Sequence, residues 1–380
     1  MSAVAVPRVW PRLHDAQRRV LFEVLVHGSQ SRVALARRLG LSRTSLTRLA
    51  RELVDLGLVE EGDVYVSKSR GRPPEMLHVR PHAAHLLGVK LTGNALYAVV
   101  SDLTGRVEEQ RQLPLRSRDV ADVVSLIGQV AAELFAGREV PAAVGVCLAG
   151  DVREEDGREF VDRSIFLGWD AVPLAELVSE ATGLPAVTSN DVQALTAGHQ
   201  WFGAGVKVRS MVVFGLGAGI GSGLVAADGL MTGAHGRPGK IGHAHVGGVG
   251  APCQRGHHDC VHSFLTMPAI EVNAGVQPGD YPLVVERARA GEVRALRAFR
   301  HSAYALGVVV AQFVNVLDPE KVVITGEGTD MLDFAREEFD RALDDRLEDT
   351  SSESVVIDRQ PFEFSHYARG AAVGALRSLF

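Results

Sequence analysis

Between Ser42 and Arg48 the chain places short hydroxyl side chains beside arginines, and these groups have the chemistry to bind nucleic acid. Guanidinium groups match phosphate oxygens and guanine edges, and hydroxyl groups donate to phosphates. A second basic run at 68–74 ends in two prolines and suits a narrow groove of DNA. The predicted DNA contacts are Ser42, Arg43, Thr44, Ser45, Thr47 and Arg48, together with Lys68, Arg70 and Arg72.

The segment 31–56, which must position the first run, has the capping pattern of a helix-turn-helix. Ser31 can cap a short helix, and Gly40 can end it because a residue without a Cβ turns left-handed at little cost. Ser42 can then cap a second helix, with the polar run on the face away from the core. Apolar residues recur at helical spacing: Val33, Ala34, Leu35 and Leu39 in the first helix, then Leu46, Leu49, Leu53 and Leu56 in the second.

A β-hairpin is predicted to follow this pair of helices, with strands at 58–61 and 64–67 around a turn at 62–63. A helix at 14–27 would pack against the pair, and the whole would form a winged helix-turn-helix. The alternative is a small helical packing module whose charged face is merely solvated. The concentration of basic residues on one helix and on the wing favours DNA binding.

Length and charge divide the chain into unlike parts. Its 380 residues suggest two or three domains, and 46% hydrophobic residues can form a large core. Residues 1–80 hold 14 basic and 8 acidic residues, whereas the remainder holds 26 and 38. The basic part can attract a polyanion while the acidic part is repelled by it. The sequence has three cysteines, and we find no signal peptide and no apolar run of transmembrane length. These features predict a cytoplasmic protein without a membrane partner.

From residue 86 onward, apolar strands alternate with helices, which predicts an α/β architecture. The strand–turn–strand openings at 86–105 and 209–229 are similar to each other and suggest two related lobes. A hinge is expected at 75–86. Strands are predicted in the segments 86–91, 95–107, 142–150, 185–190, 208–229, 321–328 and 354–358, and helices at 119–136, 172–183, 191–202, 282–300, 302–317, 330–348 and 366–380.

The order of these motifs resembles the ROK family, which groups sugar-responsive repressors with sugar kinases. The resemblance rests on the helix-turn-helix with GRPPEMLHV, and on SNDVQAL, GLGAGIGSGLV and IGH followed by CQRGHHDC. It implies a winged helix-turn-helix domain at 1–80 fused to an actin-like, ribonuclease-H-like body. The first lobe would span 84–190 with 358–380, and the second 191–357. The implied function is repression of carbohydrate-related genes by a homo-oligomer, dimer or tetramer, bound to an operator and released by a sugar or sugar-derived effector.

The phosphate loop of the family kinases is degraded in this chain. Their Asp-x-Gly-Gly-Thr motif aligns with residues 90–94, where Lys90 replaces the aspartate that helps to hold the metal. Thr92 adds a Cβ where a nucleotide must approach the backbone closely. We therefore expect no ATP binding and no catalysis, the alternative being a bifunctional sugar kinase with a DNA-binding head. The glycine run at 215–223 is interpreted as a tight hairpin that needs glycine backbone angles.

The effector site implied by the resemblance combines retained and replaced residues. Asn190 and Asp191 match the pair that binds sugar hydroxyls and supplies the catalytic base, although both can also serve as a helix cap. Lys240 and His262 replace carboxylates that hold sugar hydroxyls, which favours an anionic ligand such as a sugar phosphate or sugar acid. A body that binds nothing and only dimerises stays open. With His243, the predicted effector set is Asn190, Asp191, Lys240, His243 and His262.

The family zinc site is incomplete, because Arg255 stands where a cysteine is expected. The zinc ligands implied by the resemblance are His243, Cys253 and Cys260. Structural zinc takes four nitrogen or sulfur ligands, so a fourth must come from nearby. A metal-free loop with two free thiols is the alternative, and a zinc or redox sensor is a third interpretation of the protein. The candidates for the fourth ligand are His257, His258, Asp259 and His262.

Overall fold

The computed structural model describes residues 10–62 and 76–380. The chain forms two compact units, Met1–Lys207 with Phe364–Phe380, and Val208–Glu363. This division corrects the lobe boundary expected at residue 191. The helix Asp191–Phe202 belongs to the first unit because it packs against the helix Phe364–Ser378. Residues 358–363 belong to the second unit, where the strand Ile357–Arg359 pairs.

The amino-terminal elements form a small helical domain with a three-stranded sheet, here called the reader domain. Its strands β1 and β2 flank β3, and both pairings are antiparallel. The sequence-predicted fold is present, while the predicted strand at 64–67 and Lys68, Arg70 and Arg72 lie outside the described residues. The elements are α1 (Asp15–His27), β1 (Gln30–Ser31), α2 (Arg32–Leu39), α3 (Arg43–Asp55), β2 (Val59–Gly62) and β3 (Met76–Val79).

The predicted caps of the reader domain are confirmed. Ser31 Oγ accepts from the amide of Ala34 at 3.2 Å, and Gly40 is left-handed with φ 66°. Ser42 Oγ accepts from the amide of Ser45 at 3.1 Å. These bonds satisfy amide groups that a helix start leaves free, and they set the helix-turn-helix geometry.

Three expectations for the reader domain are wrong in detail. Leu56 is 40% exposed because α3 ends one residue before it, and Val33 is 57% exposed on the solvent side of α2. The segment 76–79, expected within the hinge, is strand β3. Its Leu77 is fully buried, so β3 is needed to cover the helices.

The body of the first unit is built on a five-stranded sheet in the order β11-β7-β4-β5-β6. A smaller sheet, β8 to β10, arises from residues for which the sequence predicted no elements. The elements are a 3₁₀ turn (Pro81–Ala83), β4 (His85–Leu91), β5 (Ala95–Asp102), β6 (Val107–Pro114), α4 (Val120–Leu134), β7 (Ala143–Leu148), β8 (Asp151–Glu155), β9 (Arg158–Ser164), β10 (Trp169–Val172), α5 (Leu174–Thr182), β11 (Ala186–Asn190), α6 (Asp191–Phe202) and, from the chain end, α13 (Phe364–Ser378).

The second unit has a five-stranded sheet in the order β14-β13-β12-β15-β16. Its elements are β12 (Met211–Leu216), β13 (Ile220–Ala226), β14 (Gly229–Leu230), α7 (His262–Leu265), α8 (Met267–Ala274), α9 (Tyr281–Arg289), α10 (Val293–Leu317), β15 (Lys321–Thr325), α11 (Met331–Phe334), α12 (Arg336–Asp344), a 3₁₀ turn (Ser352–Ser354) and β16 (Ile357–Arg359).

Two helix predictions in this unit need correction. The helices expected at 282–300 and 302–317 are α9 and the continuous 25-residue α10. The break lies at Gly291, whose φ of 82° ends a helix. The helix expected at 330–348 divides at Ala335, whose φ of −149° is not helical.

The two large sheets share one topology. In each, a central strand (β4 or β12) pairs in parallel with the fourth strand of its sheet along the chain (β7 or β15), and the fifth strand (β11 or β16) lies beyond it, also parallel. On the other side an antiparallel hairpin completes the sheet. The α/β two-lobed body is thus confirmed. Within residues 10–62 and 76–380, no helix combines the length and apolar character needed to cross a bilayer.

Candidate functional site

Helix α3 presents the predicted DNA-contacting side chains on its outer surface. Arg43, Thr44, Thr47 and Arg48 are exposed, while Leu46, Leu49 and Leu53 form the opposite, buried face. Arg48 is 72% exposed, and its Nε lies 3.9 Å from Glu52 one turn later, a weak pair that leaves the guanidinium accessible. The arrangement suits a helix that enters the major groove.

Not every residue of this run is equally free to contact DNA. Ser42 Oγ donates to Ser45 Oγ at 2.9 Å, so both hydroxyls take part in the cap. Thr47 Oγ1 donates to the carbonyl of Arg43 at 2.9 Å. Arg51 was not among the predicted contacts, although it is exposed and lies seven residues after Thr44 on the same helical face. That spacing is the signal that could have found it.

In the first unit, Asp191 is held by a lysine of the same chain. Lys90 Nζ lies 2.6 Å from Asp191 Oδ2, and the two side chains are only 4% and 14% exposed. The lysine also lies 4.6 Å from the centre of the Tyr367 ring, a favourable cation–π position. Beside it in the sheet, burial raises the pKa of Cys147 to about 12, so this thiol stays neutral. The buried ion pair therefore engages both the Lys90 ammonium and the Asp191 carboxylate.

Asn190 performs the capping role that the sequence allowed. Its Oδ1 accepts from the amides of Val192 and Gln193 at 2.9 and 3.3 Å, and its Nδ2 donates to the carbonyl of Gly150 at 2.8 Å. Asp191 Oδ1 accepts from the amide of Val192 at 2.9 Å. The structure thus brings Asn190 and Asp191 together at the start of α6, but with most of their polar atoms already bonded.

The β4–β5 turn, which aligns with the kinase phosphate loop, is closed by its own side chains. Thr92 Oγ1 accepts from the amide of Ala95 at 2.9 Å and donates to Asn94 Oδ1 at 2.9 Å. Arg118 Nε donates to the carbonyl of Gly93 at 2.7 Å. These bonds make a compact hairpin turn from a loop that would have to stay open around a phosphate.

The β12–β13 turn confirms the predicted hairpin but not the reason given for it. Gly217 and Gly219 close the turn with one backbone bond of 2.9 Å. None of the glycines in the run 215–223 has a φ in the left-handed region, so glycine backbone angles do not explain the run. An added Cβ at Gly219 would meet nothing within 4 Å.

Four side chains in the second unit converge in the manner of a metal site. Sγ of Cys253 and Cys260 lie 3.6 and 3.9 Å from Nδ1 of His243. The ligand atoms of these residues and His257 all lie within 4.8 Å of one another. Ligands around a tetrahedral zinc ion with bonds of about 2.0–2.3 Å are separated by roughly 3.5 Å. The donor set fits a metal, and His257 compensates for the missing cysteine at Arg255.

The other candidates for the fourth ligand lie outside this group of four. His258 Nδ1 bonds to the carbonyl of Gly250 at 3.0 Å, and Asp259 pairs with His245 at 3.2 Å. His262 packs so closely on Gly242 that a Cβ there would lie 2.4 Å from its Nε2.

The protonation of this region suits ligation. Burial lowers the pKa of His243, and Arg255 and His257 lower it further, so its ring is neutral. Burial opposes ionisation of Cys253, but amide donors led by Arg255 hold the pKa of its thiol below the usual value. Neutral imidazole and thiolate are the forms that metals bind.

Two of the effector residues expected in the second unit, Lys240 and His262, differ in their surroundings. Lys240 is exposed. Burial lowers the pKa of His262, with His243 and Arg255 acting in the same direction, so its ring is neutral. Attraction for an anionic ligand at these two positions therefore rests on Lys240 more than on His262.

Comparison with known proteins places the chain among repressors and sugar kinases. It is 24% identical over 326 residues to the xylose repressor of Caldicellulosiruptor bescii, covering 80% of this chain and 81% of that protein. It is 27% identical over 263 residues to the glucokinase of Halalkalibacterium halodurans, covering 63% and 79%. The crystal structure of a ROK family transcriptional regulator, a homolog of the E. coli Mlc protein, shares the fold with a TM-score of 0.80 at 22% identity, covering 93% and 94%.

Two family matches cover the reader domain and the body of the protein separately. Residues 13–65, which contain the helix-turn-helix, match the MarR family. Residues 86–377, which contain both five-stranded sheets, match the ROK family and make up most of the chain. The chain therefore belongs to the ROK family and carries a MarR-type winged helix domain ahead of its sugar-kinase-like body.

Proposed function

We propose that this protein is a DNA-binding transcriptional regulator, a repressor of carbohydrate-related genes, whose kinase-like body senses a sugar-derived effector without catalysing phosphoryl transfer. The observation that carries the proposal is the buried pair of Lys90 and Asp191. The same unit also carries the helix α3, whose basic side chains are exposed.

A general base must accept a proton from the attacking hydroxyl at hydrogen-bond distance. The Asp191 carboxylate instead accepts from Lys90 and from the amide of Val192. Phosphoryl transfer also depends on positioning the phosphates and the metal, and here a lysine replaces the carboxylate and Thr92 closes the turn. Both observations support the proposal that the body does not act as a kinase.

Binding to an operator requires two copies of the reader domain. One winged helix contacts few base pairs, so specificity comes from two half-sites and a two-fold assembly. We infer a homo-oligomer in which α3 of each chain enters a major groove, with Arg48 and Arg51 directed at bases or phosphates.

Helix α6 supplies a route from the effector residues to the reader domain. It begins at Asp191, and near its other end Trp201 packs edge-on against Phe22 of α1, with ring centres 5.4 Å apart. A ligand that displaces Lys90 from Asp191 would move a rigid helix in direct contact with the DNA-binding domain.

The DNA-binding function is tested by fluorescence anisotropy with fragments of the protein's own promoter region. Arg48→Ala should weaken operator binding by about 1–3 kcal/mol if the side chain contacts a base. Arg336→Ala is the matched control, since this exposed arginine of α12 also pairs with an acidic residue one turn later, Asp340. Equal affinity of both variants and wild type for the operator would reject the proposed docking.

The bifunctional sugar kinase is the second candidate, because the body of the protein is related to a glucokinase and Gly219 of its β12–β13 turn is exposed. A coupled ADP-release assay with glucose, N-acetylglucosamine and mannose distinguishes the two. We expect only background rates, and turnover at rates typical of kinases would overturn the regulator-only proposal.

The effector class is tested by calorimetric titration with neutral and phosphorylated sugars. We propose that an anionic sugar binds preferentially, because Lys240 stands where a carboxylate is expected. Lys240→Gln should remove this preference. A wild-type protein that favours neutral sugars would contradict the proposed class.

We also propose that His243, Cys253, His257 and Cys260 hold a zinc ion that supports the loop around them. Cobalt substitution should give the near-ultraviolet charge-transfer band of thiolate ligands, and His257→Ala should weaken it. His258→Ala is the adjacent control and should leave the band unchanged. Absence of the band in the wild type would favour the metal-free loop.

A further inference from the structure

A second group of metal-ligating side chains lies where the reader domain joins the body of the first unit. His82 is in the 3₁₀ turn after β3, His85 begins β4, and Glu108 lies in β6. Nδ1 of His82 is 2.9 Å from Oε1 of Glu108, and Nε2 of His85 is 3.2 Å from Oε2. The three ligand atoms lie within 4.8 Å of one another.

The backbone holds this group in place from both sides. Arg80 donates its amide to the carbonyl of Leu58 at 3.0 Å, and its side chain pairs with Glu60 at 3.3 Å, which ties the turn to the reader domain. The amide of Leu103 donates to the carbonyl of Pro81 at 3.0 Å, which ties it to the body. A site fixed in this way loses little entropy when a ligand binds.

The donor set suits a borderline divalent metal. Two imidazole nitrogens and one carboxylate are typical ligands of zinc and of similar transition metals. Ligand atoms of a tetrahedral ion at about 2.0–2.1 Å would be separated by roughly 3.3 Å. Here the two imidazole nitrogens lie 2.9 and 3.2 Å from different oxygens of Glu108, and one ligand atom from each residue lies within 4.8 Å of the others. His82 is 69% exposed, while His85 and Glu108 are only 15% and 21% exposed. Solvent can therefore complete the coordination from the side of His82.

A neighbouring cation competes only partly for the carboxylate. Arg138 Nη1 lies 3.8 Å from Glu108 Oε2, but its Nη2 bonds to Glu109 at 2.8 Å. The two imidazole rings are stacked, with centres 6.1 Å apart, and present their nitrogens to the same carboxylate. An ion bound beside that carboxylate could therefore take one nitrogen from each ring.

We propose that His82, His85 and Glu108 bind a divalent transition metal of the zinc class, separate from the Cys253–Cys260 loop. The bound ion fastens the connecting turn of the reader domain to β6 and so restricts the orientation of the domain. Metal availability would then influence operator binding independently of any sugar effector.

The test uses the full-length chain with zinc alone as the probe. A background carrying Cys253→Ser and Cys260→Ser removes the thiolate site, and zinc binding is measured by competition with a chromophoric chelator. We expect one zinc ion per chain to remain in this background. Adding His82→Ala or Glu108→Gln should weaken that remaining site at least about tenfold, whereas adding His235→Ala, an exposed histidine of a loop in the second unit, should not.

Two further measurements make the outcome decisive. Cobalt bound in the background that lacks Cys253 and Cys260 should show visible d–d bands without a thiolate charge-transfer band. Circular dichroism of the His82→Ala variant checks that the exposed substitution leaves the fold intact. The proposal is overturned if the background binds no zinc, if the remaining site is insensitive to His82→Ala and Glu108→Gln, or if His235→Ala weakens it equally.

Discussion

The two five-stranded sheets have the same strand order, yet their first hairpins have opposite character. In the first unit, the β4–β5 turn is closed by Thr92, and Lys90 at the end of β4 is buried against Asp191. In the second, the β12–β13 turn is closed by one backbone bond between Gly217 and Gly219, and an added Cβ at Gly219 would meet nothing within 4 Å. The first turn is therefore held by side-chain bonds, whereas the second is held through its backbone and leaves Gly219 exposed.

The two sheets share a strand order but differ at their first hairpins. Strand order alone therefore does not tell whether a site in this fold is active. In the first unit an ion pair and a threonine hold the turn, and the strand order is the same as in the second. This hairpin belongs to the unit that also carries the reader domain.

The largest expected effect comes from breaking the ion pair that closes the first unit. Asp191→Ala should destabilise this unit by about 3–5 kcal/mol, because Lys90 would be left as an unpaired buried charge. The three tryptophans, Trp10, Trp169 and Trp201, all lie in the first unit, so urea unfolding followed by tryptophan fluorescence reports on it alone.

Two variants control this experiment. Replacing both partners, Lys90→Met with Asp191→Leu, should restore most of the stability, since no charge is left unpaired. Asp340→Ala removes an exposed pair of α12 in the second unit and should leave the tryptophan transition unchanged. A small loss in Asp191→Ala would mean that the pair does not close the site.

The next effect concerns how tightly α13 packs on the first sheet. A Cβ added at Gly88 would lie 1.9 Å from the carbonyl oxygen of Ala368, so Gly88→Ala must push the helix away. We expect a loss of about 1–3 kcal/mol in the tryptophan-monitored transition. Gly128→Ala in α4 is the control of opposite sign, because its Cβ would meet Ala181 at an ordinary 3.5 Å. It should gain about 0.5–1 kcal/mol.

Local sequence patterns predicted the reader domain well because caps act over a few residues. Ser31, Gly40 and Ser42 each bond within four residues along the chain, and all three were identified from the sequence. Strand β3 escaped prediction because its partners, β1 and β2, are distant in sequence and its four residues show no clear alternation. Sheet pairing of this kind depends on tertiary contact.

The candidate sites were predictable only as sets of residues. Lys90 and Asp191 were both identified, but their pairing joins positions 101 residues apart and depends on β4 and β11 flanking β7. His257 was one of four candidates for the fourth ligand, and the loop path alone decides between them.

A smaller effect concerns Glu159. Its pKa shift is caused by burial, an amide and another carboxylate, whereas Asp191 is paired with Lys90. Burial raises the pKa of Glu159, the amide of Thr188 at 2.7 Å lowers it, and Glu154 raises it again, with a net upward shift. A carboxyl whose pKa is raised on folding stabilises the protein below its unfolded pKa, about 4.3, and this contribution is lost as pH rises through the folded pKa. Glu159→Gln should therefore gain stability relative to wild type as pH increases from 4 to 7. An advantage that is constant with pH would exclude titration of Glu159 as its cause.

The smallest expected effect concerns the β12–β13 hairpin of the second unit. Gly219→Ala should change the stability of this unit by less than about 0.5 kcal/mol, because the position needs neither a left-handed φ nor a missing Cβ. Gly326→Ala is the contrast, since its φ is 120° and a Cβ would lie 2.0 Å from the carbonyl oxygen of Leu216. Scanning calorimetry separates this unit from the tryptophan-reported one. If Gly219→Ala were as damaging as Gly326→Ala, the glycine run would be structural after all, and the two hairpins would differ in sequence but not in role.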